Sequence, residues 1–154
     1  MPLSITVDTT SVVDYLDRFA ARISDTRPLL EDIGQLMETR ISNRFETKTD
    51  PSGRAWAPWA ESTKASYPSD AHGSLLDRYG DLLGGRSHAV IGDAVEIGFD
   101  RKYAAYHEFG TKHMPRRGLL SEDPERGELG REDLESILDL VSDYLKATAY
   151  GSGA

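Results

Sequence analysis

The segment His88 to Phe99 constrains the fold more than any other. Two runs, His88-Ala89-Val90-Ile91 and Ala94-Val95-Glu96-Ile97-Gly98-Phe99, flank the dipeptide Gly92-Asp93. A two-residue link of this kind suits a primed turn, whose twist matches that of the strands it joins, so an antiparallel hairpin is predicted here. Val95, Ile97 and Phe99 alternate and share one face. On either side of the hairpin the hydrophobic period becomes helical. Leu29, Leu30, Ile33, Leu36, Met37, Ile41 and Phe45 follow Thr26-Arg27-Pro28, where proline suits a first helical turn. Leu134, Ile137, Leu138, Val141, Tyr144 and Leu145 form a second long stripe, with carboxylates in the first turn where the helix dipole favours them. The expected class is α+β, a small, mostly antiparallel sheet packed against the two long helices, with short helices and long loops between.

The remaining segments fill in this frame. Leu3-Ser4-Ile5-Thr6-Val7 alternates as a short strand available to the sheet, and Val12, Leu16, Phe19 and Ile23 mark a first helix from Ser11 to near Asp25. So short a link to the next helix predicts a hairpin or a sharply bent pair. Asp50-Pro51-Ser52-Gly53 and Ala55-Trp56-Ala57-Pro58-Trp59 read as a loop whose indoles are plugs that pin it to the core, with a ligand platform as the alternative. One or two helical turns are expected over Glu61 to Ser66. A short helix is expected over Leu75 to Leu83, closed by Gly84-Gly85, and another over Tyr103 to Phe109. Residues 1–148 form a single domain, and Ala149 to Ala154 are expected to fray.

Composition narrows the function. The 154 residues include no cysteine, which removes disulfides and thiolate chemistry and suits a reducing cytoplasm. No run approaches the roughly 20 apolar residues that cross a bilayer, and the start lacks a signal-peptide pattern, so the chain reads as soluble and unexported. A net charge of −8 argues against general nucleic-acid binding, which needs clustered Lys and Arg. The charge is uneven. Nine carboxylates between Glu122 and Asp143 face only Arg126 and Arg131, whereas Arg101, Lys102, Lys112, Arg116 and Arg117 face only Glu108. Such blocks are either solvated faces or complementary faces that meet in an oligomer.

The pair His107-Glu108 invites an enzymatic reading that spacing rejects. A zincin helix needs His-Glu-x-x-His, so that two imidazoles lie one turn apart, and Thr111 stands at the second position. His72, His88, His107 and His113 share no ligand spacing. There is also no phosphate-binding glycine loop ahead of a helix and no nucleophile elbow. No cofactor or metal is expected. His107 is expected to be a partly buried residue whose polar contact fixes the following loop, with Tyr103, Phe109 and the alanine face locking the helix onto the Val95-Ile97 strand.

Several segments, in order, resemble the phage virion morphogenesis, or tail completion, family of tailed bacteriophages. Arg44-Phe45, then Asp50-Pro51-Ser52-Gly53-Arg54-Ala55-Trp56-Ala57-Pro58, is similar to the family's arginine-phenylalanine, turn and tryptophan-x-proline elements. Leu75-Leu76-Asp77-Arg78-Tyr79-Gly80-Asp81-Leu82 resembles its leucine-x-aspartate-threonine-glycine-x-leucine segment with one residue more. Val95-Glu96-Ile97-Gly98 followed by Tyr103-Ala104-Ala105-Tyr106-His107-Glu108-Phe109-Gly110 resembles its most distinctive pairing, and Met114-Pro115-Arg116 and Leu120-Ser121-Glu122-Asp123 resemble its next loop. Two departures stand out: Arg117-Gly118-Leu119-Leu120 replaces arginine-proline-phenylalanine-leucine, and an acidic insertion spans Pro124 to Gly130.

The resemblance implies a non-catalytic structural protein of the virion neck, assembled in the host bacterial cytoplasm. Its subunits would form a ring of six around the DNA channel and join head to tail. The implied partners are further copies of itself and the tail terminator, tail tube, and head connector or stopper, with DNA passing without sequence-specific binding and no membrane involved. A carboxylate-lined channel would repel phosphate and let DNA slide. Lys112, His113, Arg116 and Arg117 are the expected interface residues, meeting carboxylates of a neighbour. Trp56, Pro58, Tyr103, Ala104, His107, Phe109 and Gly110 are the motif positions expected to be structural. An adaptor unrelated to the neck and an enzyme built on His107 or Glu108 are the competing readings.

Overall fold

The computed structural model describes residues 10–150, so the expected strand from Leu3 to Val7 lies outside the described residues. The elements in chain order are α1 (Thr10–Ser24), α2 (Arg27–Thr47), α3 (Glu61–Ala65), α4 (Asp81–Gly84), β1 (Arg86–Ile91), β2 (Ala94–Phe99), α5 (Ala104–Phe109) and α6 (Arg131–Tyr150). The architecture is α+β. Among the described residues the sheet is the single antiparallel hairpin, in register from Arg86↔Phe99 to Ile91↔Ala94, which leaves Gly92-Asp93 as the two-residue turn.

Helix α2 organises the rest. Pro28 sits in its first turn, and it ends at Lys48, whose left-handed φ of 59° lets its N–H donate to the Arg44 carbonyl at 2.8 Å. One side of α2 carries the hairpin and another carries α6. Gly34 is the closest point of the first contact, since a Cβ there would lie 2.1 Å from the His88 ring. A mid-helix glycine costs about 1 kcal/mol, and here it admits an imidazole that bridges two carboxylates of α2. His88 Nδ1 lies 2.6 Å from Glu38 Oε1, and Nε2 lies 3.2 Å from Glu31 Oε2.

Two expectations are corrected by this packing. Helix α6 lies mainly on α2 rather than on the sheet, because Asp133 is drawn to Arg40 and Arg44. Helix α1 rests on α6, with the Tyr144 hydroxyl donating to the Asp25 carbonyl at 3.4 Å, an arrangement that fits the bent-pair form of the α1–α2 expectation. The expected helix over Leu75 to Leu83 shrinks to the four residues of α4. Leu76 and Gly80 adopt left-handed φ of 57° and 81°, and the Asp77 carboxylate accepts the Gly80 N–H at 2.9 Å, so that stretch is a turn that delivers leucines to the core. At the C-terminus α6 runs through Tyr150, so Ala149 and Tyr150 are helical, and the last four residues lie outside the described ones.

The core joins Ile41, Phe45, Trp56, Leu82, Ala104 and Leu119. Trp56 is the plug that the loop reading required. Its ring meets Phe45 edge-on at 5.4 Å, and Phe45 in turn lies 6.4 Å from Phe99 of the hairpin. The turn that brings it there is held by Asp50, whose Oδ1 accepts the N–H groups of Ser52 at 2.9 Å and Arg54 at 3.0 Å. Burying a side chain of this size contributes about 1.5–3 kcal/mol, so the core fixes the end of α2, the tryptophan loop, α5 and Leu119 against one another.

Candidate assembly interface

The short helix α5 is placed by the end of the hairpin, where the Asp100 N–H donates to the Gly85 carbonyl at 2.9 Å. Ala104 and Glu108, one turn apart, face inward. Tyr103, Tyr106 and Phe109 face outward, and Tyr106 and Phe109 are each 58% exposed. This reverses the expectation that Tyr103 and Phe109 lock the helix to the strand. The small Ala104 lets α5 approach the core closely, and the inward face ends in a carboxylate that needs donors.

Those donors come from the backbone after the basic loop. Glu108 Oε2 accepts the N–H groups of Leu119 at 2.6 Å and Leu120 at 3.0 Å, while Oε1 accepts the Ser121 N–H at 2.9 Å and the Ser121 hydroxyl. Backbone N–H groups aimed at a charged acceptor make stronger bonds than neutral pairs, and leaving them unmet in a buried site is costly. Glu108 therefore latches residues 119–121 to α5. Its carboxylate serves as a structural acceptor.

Both arginines expected to reach a neighbour serve the same latch. Arg116 donates from Nε to the Glu108 carbonyl at 2.7 Å and from Nη2 to the Ser121 carbonyl at 2.5 Å. Arg117, 7% exposed, donates to the carbonyls of Ala57 and Pro58, each at 2.8 Å, and its N–H bonds the His107 carbonyl at 2.8 Å. Lys112 and His113 are exposed, at the tip of a turn closed by Thr111 and Met114. Of the four expected interface residues, the fold thus presents two at the surface and binds two internally.

The motif residues divide in the same way. Trp56 Nε1 donates to the Gly118 carbonyl at 3.1 Å, and Pro58 supplies a carbonyl to Arg117. Gly110 has φ of 72°, and a Cβ there would lie 3.0 Å from the Arg116 nitrogen, so glycine is required for the chain to turn beside the latch. His107 is half-buried, and its fixing contact is made by its carbonyl, because the buried Nδ1 has no hydrogen-bond partner. Burial, and then the Arg117 charge, pushes its pKa below the usual histidine value, which keeps the ring neutral.

Two residues that sequence reasoning missed complete the frame. Asp133, fully buried, accepts from Arg40 Nε at 2.5 Å and from Arg44, and Arg44 also donates to the Leu119 carbonyl at 2.7 Å. One ion-paired cluster thereby connects α2, α6 and the latch. No local pattern marks either one as buried, because the donors to Asp133 and Glu108 lie 11 to 93 positions away.

The latch separates two hollows. A cleft of about 820 Å3 runs between the tryptophan loop and the Ser74 to Leu82 turn, with Trp59 stacked on Tyr67 at 4.5 Å and with His107 and Arg117 in its wall. A second groove, of about 340 Å3, lies between the end of β2 and α5. Among the described residues no three His, Cys, Asp or Glu side chains are grouped to hold a metal ion. Among the described residues no helix is long and apolar enough to cross a membrane.

Several large apolar side chains are exposed. Leu16 and Ile23 on α1, Leu134 and Leu138 on α6, and the α5 aromatics are all exposed in the single chain.

Comparison with known proteins identifies the family. The model of the phage virion morphogenesis family matches residues 7–146, nearly the whole chain. The chain belongs to the phage virion morphogenesis family. A curated relative, Mu-like prophage FluMu G protein 1 of Haemophilus influenzae, is 26% identical over 133 residues, which cover 84% of this chain and 88% of the relative. No solved structure matches significantly. This virion morphogenesis protein is thus a virion-associated phage component, and the matched span includes the latch, the hairpin, all of α2 and most of α6.

Proposed function

We infer that this virion morphogenesis protein is a non-catalytic neck subunit that completes the tail and joins it to the head, as one member of a ring around the DNA channel. The observation that carries the reading is the pairing of a rigid, internally satisfied latch with exposed apolar faces on α1, α5 and α6. Such a chain presents fixed surfaces to neighbours, as a building block does. Glu108 supports the non-catalytic reading, because its carboxylate is filled by the protein's own donors. The exposed carboxylates of the last helix suit a wall past which DNA moves without adhering.

The test is genetic and structural. Phage lacking the gene should accumulate filled heads and separate tails, and purified neck complexes should contain the chain in several symmetric copies. Normal numbers of joined, infectious particles without the chain would overturn the reading.

A further inference from the structure

We propose that the groove between β2 and α5 receives the N-terminal half of α6 from a second copy of this chain. The proposal rests on the ring reading above and specifies its contact. Phe99, Ala105, Phe109, Leu119 and Leu120 make the groove apolar, and Arg101 and Lys102 stand on its rim. Arg101 lies 3.5 Å from Asp100, whereas Lys102 has no ion-pair partner among the described residues. Glu108, the other acid at the groove, is filled by the latch donors.

Helix α6 carries the matching surface. Leu134 and Leu138 lie one turn apart, 48% and 57% exposed, with Glu135 and Asp139 beside them. Glu135 is engaged by Arg131 at 2.8 Å, but Asp139 has no ion-pair partner among the described residues. Leucines spaced i, i+4 are how a helix fills an apolar groove, and an acid flank against a basic rim sets orientation. Lys102 and Asp139 are the pair that the two surfaces leave for each other. Groove and helix belong to one chain but are different patches, so the contact is heterologous and propagates from copy to copy, closing when the rotation allows.

The absence of cysteine makes the test clean. Phage carrying Ala105→Cys together with Leu138→Cys should, after mild oxidation of assembled particles, yield a disulfide-linked ladder of this chain, and each single variant should yield none. Both positions are exposed, and thermal unfolding checks that the variants fold. Joined particles without a ladder, a link within one chain, a link to a different protein, or a product that stops at a dimer would each overturn the contact while leaving the neck role standing. Particles that join normally without the chain would overturn the neck role itself. In parallel, Lys102→Glu should weaken self-association about tenfold or more, and adding Asp139→Lys should restore it. Failure of the double variant to recover would refute the pairing.

Discussion

Replacing Glu108 with alanine tests the latch most sharply. The carboxylate accepts three backbone N–H groups, at 2.6, 3.0 and 2.9 Å, together with the Ser121 hydroxyl, and it lies 3.7 Å from the Arg116 guanidinium. The substitution leaves four donors without their acceptor at a site where Glu108 is 7% exposed, while Arg116 keeps its two backbone carbonyls. Each unmet buried donor costs about 1–3 kcal/mol, but water entering the space recovers part of that, so about 3–5 kcal/mol is expected in all. For a domain of this size that lowers the Tm by on the order of 10 °C. Glu108→Gln keeps the shape but turns an amide NH2 toward a backbone donor, and should cost about 2 kcal/mol. Urea unfolding followed by tryptophan fluorescence reads both, since Trp56 bonds Gly118 beside the latch. A Glu108→Ala protein within about 1 kcal/mol of the parent would refute the latch.

Three further outcomes are expected. Asp133→Asn removes the charge shared by Arg40 and Arg44 and should destabilise by about 3–5 kcal/mol, measured by the same unfolding curve. Gly110→Ala forces a Cβ against the Arg116 backbone at positive φ, and should cost about 1–3 kcal/mol and speed proteolysis after Lys112. The Glu38 hydrogen bond, aided by Glu31, raises the His88 pKa above its unfolded value. Its contribution is therefore full below about pH 6.5 and fades as pH rises through the folded value, so His88→Gln should flatten that alkaline-side loss. The lowered pKa of His107 acts in the opposite window, with stability falling as pH drops below about 6.5, which lets stability curves over pH separate the two histidines.

What was legible in the sequence was whatever local pattern dictates. The hairpin about Gly92-Asp93, the start of α2 at Pro28 and the Trp56 plug each follow from turn chemistry, backbone limits or apolar area close to the residue concerned. The failures concern residues whose partners lie far along the chain. Periodicity called Leu134 and Leu138 the buried stripe of α6, yet Asp133 is the residue turned fully inward, because Arg40 and Arg44 stand 93 and 89 positions away. A charged residue can be drawn into a core only by partners that a local window does not contain. The same blindness made Arg116 and Arg117 look available to a neighbour, when backbone carbonyls at Glu108, Ser121, Ala57 and Pro58 already hold them. A leucine stripe left half exposed is itself informative, since it directs attention to what covers it in the assembled particle.

The most direct test of the neck account is an image of the intact head-tail junction at side-chain resolution. The account predicts a closed ring of this chain around the DNA, with the latch unchanged from the isolated subunit and the Leu134 and Leu138 face of each copy covered by its neighbour. A junction complete without the chain, or the chain found only elsewhere in the virion, would contradict it.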